Sequence, residues 1–175
     1  MGIIKRYPPV KLFMGFIFAQ QNYFERVIKI LIRKFGPLDF ESQTIDFTYT
    51  DYYEKEMGKP LKRKFVSFKE LIDADRLAKI KVFTNKIEKK FSIHSKRNIN
   101  IDPGYLDMAK VVLASTKDYT HRIYLEKGIF AEVTLFYQNK QFTPWPWTYP
   151  DYKTKEYSDI FERIRQIYIQ QIRGV

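Results

Sequence analysis

The first 37 residues hold the clearest hydrophobic pattern in the chain. Residues 11–19 (KLFMGFIFA) form a continuous apolar run of strand length, which is typical of a strand buried on both faces. Apolar residues then recur at helical spacing from Phe24 to Phe35, and Gly36-Pro37 follow as a stop signal. Asn22 and Glu25 have the spacing of a capping box. The pattern predicts a central strand followed by an amphipathic helix.

The middle of the chain changes from strand periodicity to helix periodicity. Apolar and polar residues alternate over residues 42–50, which predicts a strand, and residues 61–68 are its predicted antiparallel partner. Ser67 and Glu70 have the spacing of a second capping box, which predicts a long helix from there to about Phe91.

The last third of the chain predicts a strand, a hairpin and a helix. Residues 109–116 form another buried-strand run, and residues 121–125 and 129–137 flank a Glu-Lys-Gly turn. A final amphipathic helix closes the chain. The order of the first six elements matches the βαββαβ pattern of ferredoxin-like sheets. The predicted fold class is therefore α+β: one domain over residues 1–175, with an antiparallel or mixed sheet extended by the C-terminal hairpin.

Composition excludes several classes of protein. Hydrophobic residues make up 45% of the chain and aromatic residues 17%, which is enough apolar surface to exclude disorder. No apolar run approaches the ~20 residues that a membrane span needs, so no membrane association is expected. The absence of cysteine excludes disulfides and thiol nucleophiles, and a cytoplasmic location is expected.

The formal net charge of +11 invites a nucleic-acid interpretation. Lys and Arg are concentrated at residues 59–69 and 79–97, and the second concentration alternates with apolar residues of the predicted helix. Such a pattern fits a solvated outer helix face. It also fits a surface for a polyanion. Both interpretations remain open at this stage.

Residues 98–152 hold most of the candidate chemistry. Asp102-Pro103-Gly104-Tyr105 has turn composition, and a turn placed before the strand at 109–116 would set Asp102 and Tyr105 at an edge of the sheet. Asp102 is a candidate for proton transfer, and Tyr105 is a candidate ligand contact.

A second group of candidates flanks the predicted hairpin. His121 has a side-chain type that titrates near neutrality, while Lys117 and Arg122 suit an anionic substrate. Glu132 is predicted to be either the ion-pair partner of these cations or a general base. Only two histidines occur and cysteine is absent, so no metal site is predicted.

Two aromatic segments complete the candidate set. Trp147 and Tyr149 lie in a proline-rich segment that can stack a ring or clamp the last helix onto the core. Tyr52, Tyr53 and Glu56 follow a predicted strand and can bind a hydroxyl-bearing ligand or a hard cation. Alternatively, these three residues simply pack a loop and pair with nearby basic residues.

Several segments together resemble the bacterial domain-of-unknown-function family 4416, across essentially the whole chain: Tyr52–Gly58, Asn100–Leu106, Thr116–Asp118, His121–Tyr124 and Trp147–Tyr152. The resemblance implies no established activity, although members of that family sometimes carry a GTP-binding label. The seven glycines never form the Gly-x4-Gly-Lys-Ser/Thr spacing that cradles phosphates, so a Ras-like GTPase is excluded. Asn85-Lys-Ile-Glu88 faintly resembles a guanine-binding loop, but its setting predicts a helix surface.

The sequence does not decide whether the protein is an enzyme or whether it uses a cofactor. Three functions follow as hypotheses. The first is a pocket for an anionic, ring-containing small molecule, such as a nucleotide, with Lys117 and Arg122 holding its charge and Trp147 and Tyr149 stacking its ring. The second is a non-catalytic RNA-binding module that uses the basic helix and exposed aromatic residues on the sheet. The third is an interaction scaffold without a ligand.

Overall fold

In the computed structural model, which describes residues 2–174, the N-terminal apolar run forms strand β1 (Val10–Phe18). All nine residues of β1 are buried, as expected for a strand covered on both faces. Helix α1 (Gln21–Phe35) follows, and Gly36 ends it with a positive φ of 90°. These elements confirm the predicted strand and helix at the start of the chain.

The remaining elements complete an α+β fold. The other strands are β2 (Leu38–Glu41), β3 (Ile45–Asp46), β4 (Lys62–Ile72), β5 (Ile99–Leu106), β6 (Lys110–Ser115), β7 (Ile123–Glu126), β8 (Ile129–Gln138) and β9 (Gln141–Pro144). The other helices are α2 (Glu54–Met57), α3 (Leu77–Lys90) and α4 (Lys155–Arg173). The strands form one sheet in the order β2-β4-β1-β5-β6-β8-β7, while β3 pairs with β4 and β9 with β8.

Every pair of neighbouring strands in the sheet is antiparallel, and helices cover both faces of its central strands. Leu12, Met14 and Phe16 of β1 belong to the core cluster that contains α1 and α3. Phe13 points to the other face and packs edge-on against Phe161 of α4, with 5.0 Å between ring centroids. Because both faces of β1 are covered, its sequence shows no polar alternation.

The helix predicted from Ser67 to Phe91 begins ten residues later than its capping signal. Strand β4 continues to Ile72, a single 3-10 turn follows, and α3 begins at Leu77. The Ser67 hydroxyl donates a hydrogen bond to Asp39 Oδ1 at 2.6 Å instead of capping a helix. The capping-box prediction was wrong here because pairing of β4 with β1 and β2 satisfies the backbone along its length.

The capping box predicted at Asn22 and Glu25 was also wrong. Helix α1 starts at Gln21, and the preceding Gln20 makes no side-chain capping hydrogen bond. The strand predicted over residues 42–50 shrinks to Ile45–Asp46, because Phe47 turns away to pack in a separate cluster with Met57 and Leu61. The remaining partner of β4 is β2, which the sequence pattern had not indicated.

The turn predicted at Asp102–Tyr105 is a continuous part of strand β5. Asp102 pairs with Gly15 and Gly104 with Phe13 in the register between β5 and β1. A Cβ atom on Gly104 would lie 2.5 Å from both Phe13 Cζ and the Val112 carbonyl oxygen. This glycine is therefore explained by close packing inside the sheet, and the turn prediction was wrong.

The C-terminal predictions were confirmed. Strand β6 occupies the predicted run, and β7 and β8 form the hairpin, with Lys127 and Gly128 in its turn at φ of 55° and 73°. The hairpin extends the sheet at its β6 edge, and the amphipathic helix α4 closes the chain. In the part of the chain that the structure describes, no helix has the length and hydrophobicity that crossing a membrane requires.

The position of Gly104 gives a test of this packing. We expect Gly104→Ala to lower the free energy of unfolding by about 1–3 kcal/mol, because the added methyl group must displace the Phe13 ring or the β6 backbone. Chemical denaturation measures the change. Gly2→Ala is the matched control, since a Cβ atom there meets nothing within 4 Å. Equal stability of the two variants would contradict the proposed packing.

Candidate functional site

A cleft of about 490 Å³ opens where strands β5 and β6 separate. The two strands pair only through Gly104–Leu106 and Val111–Leu113, so the first part of β5 and the end of β6 diverge. Asn100 and Asp102 of β5 line one part of the cleft, and Ala114 and Ser115 of β6 line another. The divergence of two antiparallel neighbours thus leaves room inside an otherwise covered sheet.

The lining of the cleft is rich in charge and in phenols. It contains the five cationic side chains of Arg63, Lys81, Arg97, Lys117 and Arg122. It also contains the four carboxylate side chains of Glu88, Asp102, Glu132 and Asp151. The tyrosines are Tyr49, Tyr52 and Tyr53 from one segment and Tyr149 and Tyr152 from another. Charges inside the cleft therefore nearly cancel, with one cation in excess.

A buried arginine forms the deepest part of the cleft. The Arg63 side chain is 1% exposed; its Nη1 donates to Asp102 Oδ2 at 3.1 Å and its Nη2 to the Tyr152 hydroxyl at 2.8 Å. Its guanidinium also lies over the Phe65 ring, 4.6 Å from the centroid. Gly15 on the intervening strand makes this possible, because a Cβ atom there would be 2.8 Å from Arg63 Nη2.

Asp102 is held in its ionised form. Burial by itself would raise the pKa of the Asp102 carboxyl, but the charges of Arg63 and Lys81 outweigh burial and lower that pKa below its ordinary value. The Lys81 ammonium lies 3.9 Å from Asp102 Oδ1 and donates a hydrogen bond to the Ile101 carbonyl oxygen at 2.8 Å. The side chain of Asp102 is 27% exposed, so a ligand in the cleft can reach this carboxylate although Arg63 fixes its position.

Asp151 is a more deeply buried carboxylate of the lining, and its pKa shifts in the opposite direction. Burial raises the pKa of Asp151, and the charge of Arg63 only partly offsets that rise. The residue lies in a single 3-10 turn that follows Pro150 and precedes α4. Asp102 and Asp151 therefore share Arg63 as a neighbour, while their environments shift their pKa values in opposite directions.

Helix α3 supplies a polar stripe beneath the cleft. Glu88 is buried, accepts a hydrogen bond from the Ile101 backbone N–H at 2.8 Å, and has a pKa that burial raises. Lys81 and Asn85 line the cleft from the same helix. The Asn85–Glu88 segment is helical as predicted, but Glu88 faces the interior, so the surface interpretation was wrong for that residue.

Glu132 anchors the wall formed by β8. Its Oε2 accepts hydrogen bonds from Arg122 Nε at 2.9 Å and from the His121 ring at 3.1 Å, and its Oε1 accepts one from Thr134. Glu132 is 2% exposed, and both of its carboxylate oxygens accept hydrogen bonds from protein groups. In this arrangement Glu132 orients Arg122 and His121.

Arg122 is equally engaged. Beyond its bond to Glu132, its Nη1 donates to Ser115 Oγ at 3.0 Å and to the Lys117 carbonyl oxygen at 2.9 Å, and its Nη2 donates to the Tyr149 hydroxyl. Burial raises the pKa of Tyr149, and the Arg122 charge works against that rise. Arg122 thus ties β6, β8 and the segment after Pro146 into one wall.

Among the cations that line the cleft, Lys117 is the one without a carboxylate partner in the described part of the chain. Its ammonium lies over the Tyr52 ring, 4.8 Å from the centroid, and no carboxylate pairs with it within residues 2–174. Tyr52 is 53% exposed, so this cation–π contact stands at an open part of the cleft. Lys117 is therefore the lining cation that remains available to an anionic ligand.

The tryptophans form a stack of their own. Trp147 lies parallel to Trp145 at 5.2 Å and close to parallel with His121 at 5.4 Å between ring centroids. Phe136 of β8 continues the stack against Trp145 at 4.3 Å. This arrangement packs Trp147 against the outer hairpin, where it is 45% exposed and does not line the cleft.

The structure brings seven of the eleven predicted site residues to the cleft: Asp102, Lys117, Arg122, Glu132, Tyr149, Tyr52 and Tyr53. His121 and Trp147 lie behind the lining, in the network and the stack just described. Glu56 supports the cleft indirectly, because it holds the lining residue Arg97 through two hydrogen bonds of 2.6 and 3.1 Å. Tyr105 packs with the α1 and α3 core, because residues three positions apart on a strand point to opposite faces.

Sequence reasoning missed all the other charged residues of the lining: Arg63, Lys81, Glu88, Arg97 and Asp151. A signal existed for Lys81, because Leu77, Lys81, Thr84 and Glu88 fall on one face of α3 at helical spacing. Charged residues at inward-facing helix positions require buried partners. Arg63 and Asp151 carried no comparable signal, since their meeting depends on segments 88 residues apart along the chain.

Comparisons with known proteins agree with the resemblance noted in the sequence. A family model described as "Domain of unknown function (DUF4416)" matches residues 8–168. No curated protein and no solved structure matches. Within the described part of the chain, no group of three or more His, Cys, Asp or Glu side chains has the arrangement of a metal site.

Asp102 and Asp151 are expected to have opposite effects on stability. Asp102→Asn should lower the free energy of unfolding at neutral pH, by on the order of 3 kcal/mol, because it removes the anion that compensates buried Arg63. Since the folded-state pKa of Asp102 is lowered, its contribution is present above its ordinary pKa. That contribution is lost as the pH falls through the lowered value.

Asp151→Asn should leave stability at neutral pH unchanged or raise it. Its folded-state pKa is raised, so the ionised group destabilises the folded protein above that pKa, and the difference from wild type should vanish as the pH falls below the ordinary value. Urea denaturation of both variants between pH 3 and 8 measures the two effects (range chosen around the ordinary carboxyl value, about 3.9). Effects of the same sign would contradict this electrostatic description.

Proposed function

We propose that this chain, which belongs to the DUF4416 family of unknown function, binds an anionic, ring-containing small molecule in the cleft between β5 and β6. The observation that carries the proposal is the position of Lys117, an unpaired cation beside an accessible tyrosine in a cleft of about 490 Å³. Ligand pockets commonly have volumes of roughly 300–1,000 Å³, with a few polar groups among apolar and aromatic walls. A nucleotide is the first ligand class to test.

The charge balance of the cleft supports a ligand with few negative charges. Arg63, Arg97 and Arg122 are already paired with carboxylates, and this leaves Lys117 to meet an incoming anion. A polyphosphate would need several uncommitted cations or a glycine-rich loop. A single phosphate or carboxylate matches the one uncompensated ammonium. The sequence hypothesis gave this role to Arg122 as well; its hydrogen bonds favour a structural contribution.

The phenols supply the part of the cleft that would take a ring. Tyr49 and Tyr52 are 40% and 53% exposed, and Tyr149 is 44% exposed, so their faces are accessible from solvent. Stacking of a ring on an aromatic side chain contributes about 1–3 kcal/mol. We assign ring binding to these tyrosines, whereas the sequence hypothesis assigned it to Trp147 and Tyr149.

Proton transfer, if the bound molecule reacts, would fall to Asp102 and Asp151. Two carboxyl groups whose environments shift their pKa values apart are a common basis for separate base and acid roles. The predicted roles of His121 and Glu132 in proton transfer remain predictions, and the bonds between these two residues favour a positioning role. A cytoplasmic location and a scaffold role without a ligand also remain predictions.

The strand order gives a further proposal about the fold. We propose that β1, α1, β2, β4, α3 and β5 form a ferredoxin-like unit, to which the remaining strands add an extension. The support is the antiparallel order β2-β4-β1-β5 with both helices on one face.

A thermal-shift experiment tests the binding proposal. At a concentration of 100 times its Kd, a ligand that binds only the folded protein adds about 2.7 kcal/mol, which raises Tm by roughly 5–10 °C for a chain of this size. Adenosine and guanosine monophosphates, their nucleosides, and inorganic phosphate are compared. We expect only molecules that contain both the ring and the anion to raise Tm.

Matched variants locate the binding. Lys117→Ala should abolish the rise in Tm with a nucleoside monophosphate, whereas Lys69→Ala, which removes an exposed lysine outside the cleft, should preserve it. Tyr52→Ala should weaken binding about 5- to 150-fold, in line with the loss of one stacking contact. A nucleotide-dependent rise in Tm that survives Lys117→Ala would place binding elsewhere and contradict the proposal.

A further inference from the structure

Helices α1 and α3 form one continuous outer face of the molecule. Phe35 of α1 contacts Phe83 of α3 with ring centroids 5.8 Å apart, and Tyr23 contacts Phe91 at 6.4 Å. The start of α1 thus meets the end of α3, so the helices lie side by side in opposite directions. Both cover the same face of the sheet, through a shared apolar core.

This two-helix face carries a strong excess of positive charge. Eight exposed cations project from it: Arg26, Lys29, Arg33 and Lys34 on α1, and Lys79, Lys86, Lys89 and Lys90 on α3. The two helices contain a single exposed carboxylate, Glu25. Within residues 2–174, none of the eight cations forms an ion pair. We call these eight side chains the basic face.

Ordinary solvation of a helix surface does not produce this imbalance elsewhere in the protein. Helix α4 is also exposed on its outer side, yet its exposed Lys155, Arg163 and Arg173 are accompanied by the exposed Glu156 and Asp159, and Lys155 pairs with Asp159 at 2.6 Å. Favourable interaction with helix C-termini accounts for the basic residues in the last turns of α1 and α3. It leaves the four cations nearer the helix starts and middles unexplained.

We infer that the basic face binds the phosphate backbone of double-stranded RNA. A row of unpaired Lys and Arg side chains on a rigid surface matches the regular negative charge of a duplex, and release of counterions provides the driving force. This surface differs from the one expected from the sequence, which combined the basic helix with exposed aromatic residues on the sheet. Helices α1 and α3 cover the sheet beneath the basic face, and the exposed Tyr124 lies on the outer hairpin instead.

The aromatic residues of this face favour a duplex over a single strand. Arg26 lies over the Phe91 ring at 4.9 Å and Lys34 over the Phe83 ring at 5.7 Å from the centroids. Phe91 is 8% exposed and Phe83 is half-buried, so these rings offer no open platform on which unpaired bases could stack, which single-strand binding commonly requires. Contacts from the face are consequently limited to phosphates and sugars.

The shape of the face favours RNA over DNA. Both helices lie flat on the sheet, so neither projects as a recognition helix that could enter the major groove of DNA. An A-form duplex has a wide, shallow minor groove and is recognised mostly through phosphates and 2′-hydroxyl groups. Binding at this face does not depend on the cleft, because the α3 residues that line the cleft, Lys81, Asn85 and Glu88, are inward-facing or half-buried.

Fluorescence anisotropy with a labelled RNA duplex of about 16 base pairs, a length suited to shape-dependent recognition, tests the inference. The quadruple variant Lys29→Gln/Arg33→Gln/Lys86→Gln/Lys89→Gln removes half of the basic face. Lys127→Gln/Lys155→Gln/Arg163→Gln/Arg173→Gln is the control, because it removes the same charge from exposed positions outside α1 and α3. Circular dichroism melting confirms that both variants are folded.

We expect the basic-face variant to bind at least about tenfold more weakly near 0.1 M salt and to reduce the slope of log K against log salt by about 3. The control should bind within about twofold of wild type, and so should Lys117→Ala. Equal weakening by both quadruple variants would show a diffuse effect of net charge and overturn the inference. Equal or tighter binding of a DNA duplex, of single-stranded RNA, or of anionic phospholipid vesicles would overturn the assignment to double-stranded RNA.

Discussion

A buried guanidinium is the constraint on which the interior of this protein depends. Arg63 is almost fully excluded from solvent, and a charge in that position must be compensated within the fold. Asp102 on strand β5 provides the opposite charge. Gly15 lies on strand β1 between them, and its missing side chain leaves the space that the guanidinium occupies. The ion pair between Arg63 and Asp102 reaches across strand β1 and fixes these two side chains in the lining of the cleft. An accessible carboxylate is thereby kept ionised at a fixed position.

The cleft itself arises from the way the sheet is assembled. Strands β5 and β6 pair only near Gly104–Leu106, and their divergence opens a gap in a sheet whose central strand is covered on both faces. Helix α3 lies beside that gap and contributes Lys81 and Glu88, whose buried charges are held by each other and by the backbone of Ile101. The polar lining is therefore part of the same framework that supports the fold.

The residues around the cleft divide into those that build it and those that remain accessible. Glu132 holds Arg122 and His121 through its Oε2, and Arg122 joins three segments of the wall, so these residues behave as a frame. Within residues 2–174 no carboxylate pairs with Lys117, and burial raises the pKa of Asp151. Glu132, Arg122 and His121 are residue types that suggest catalysis in a sequence, but here they support the wall of the cleft. Lys117 remains available for a ligand.

The sequence by itself determined the elements whose burial is periodic and local: the apolar strand β1, helix α1, the β7–β8 hairpin and helix α4. Its capping and turn signals were misleading at Ser67 and Asp102, because each local preference contributes only about 1 kcal/mol and pairing along long strands outweighs it. Seven predicted site residues do line the cleft, since residues suited to ligands cluster in the sequence around strand ends. Only the tertiary structure decided that Arg63 meets Asp102, because burial couples charges that are distant along the chain.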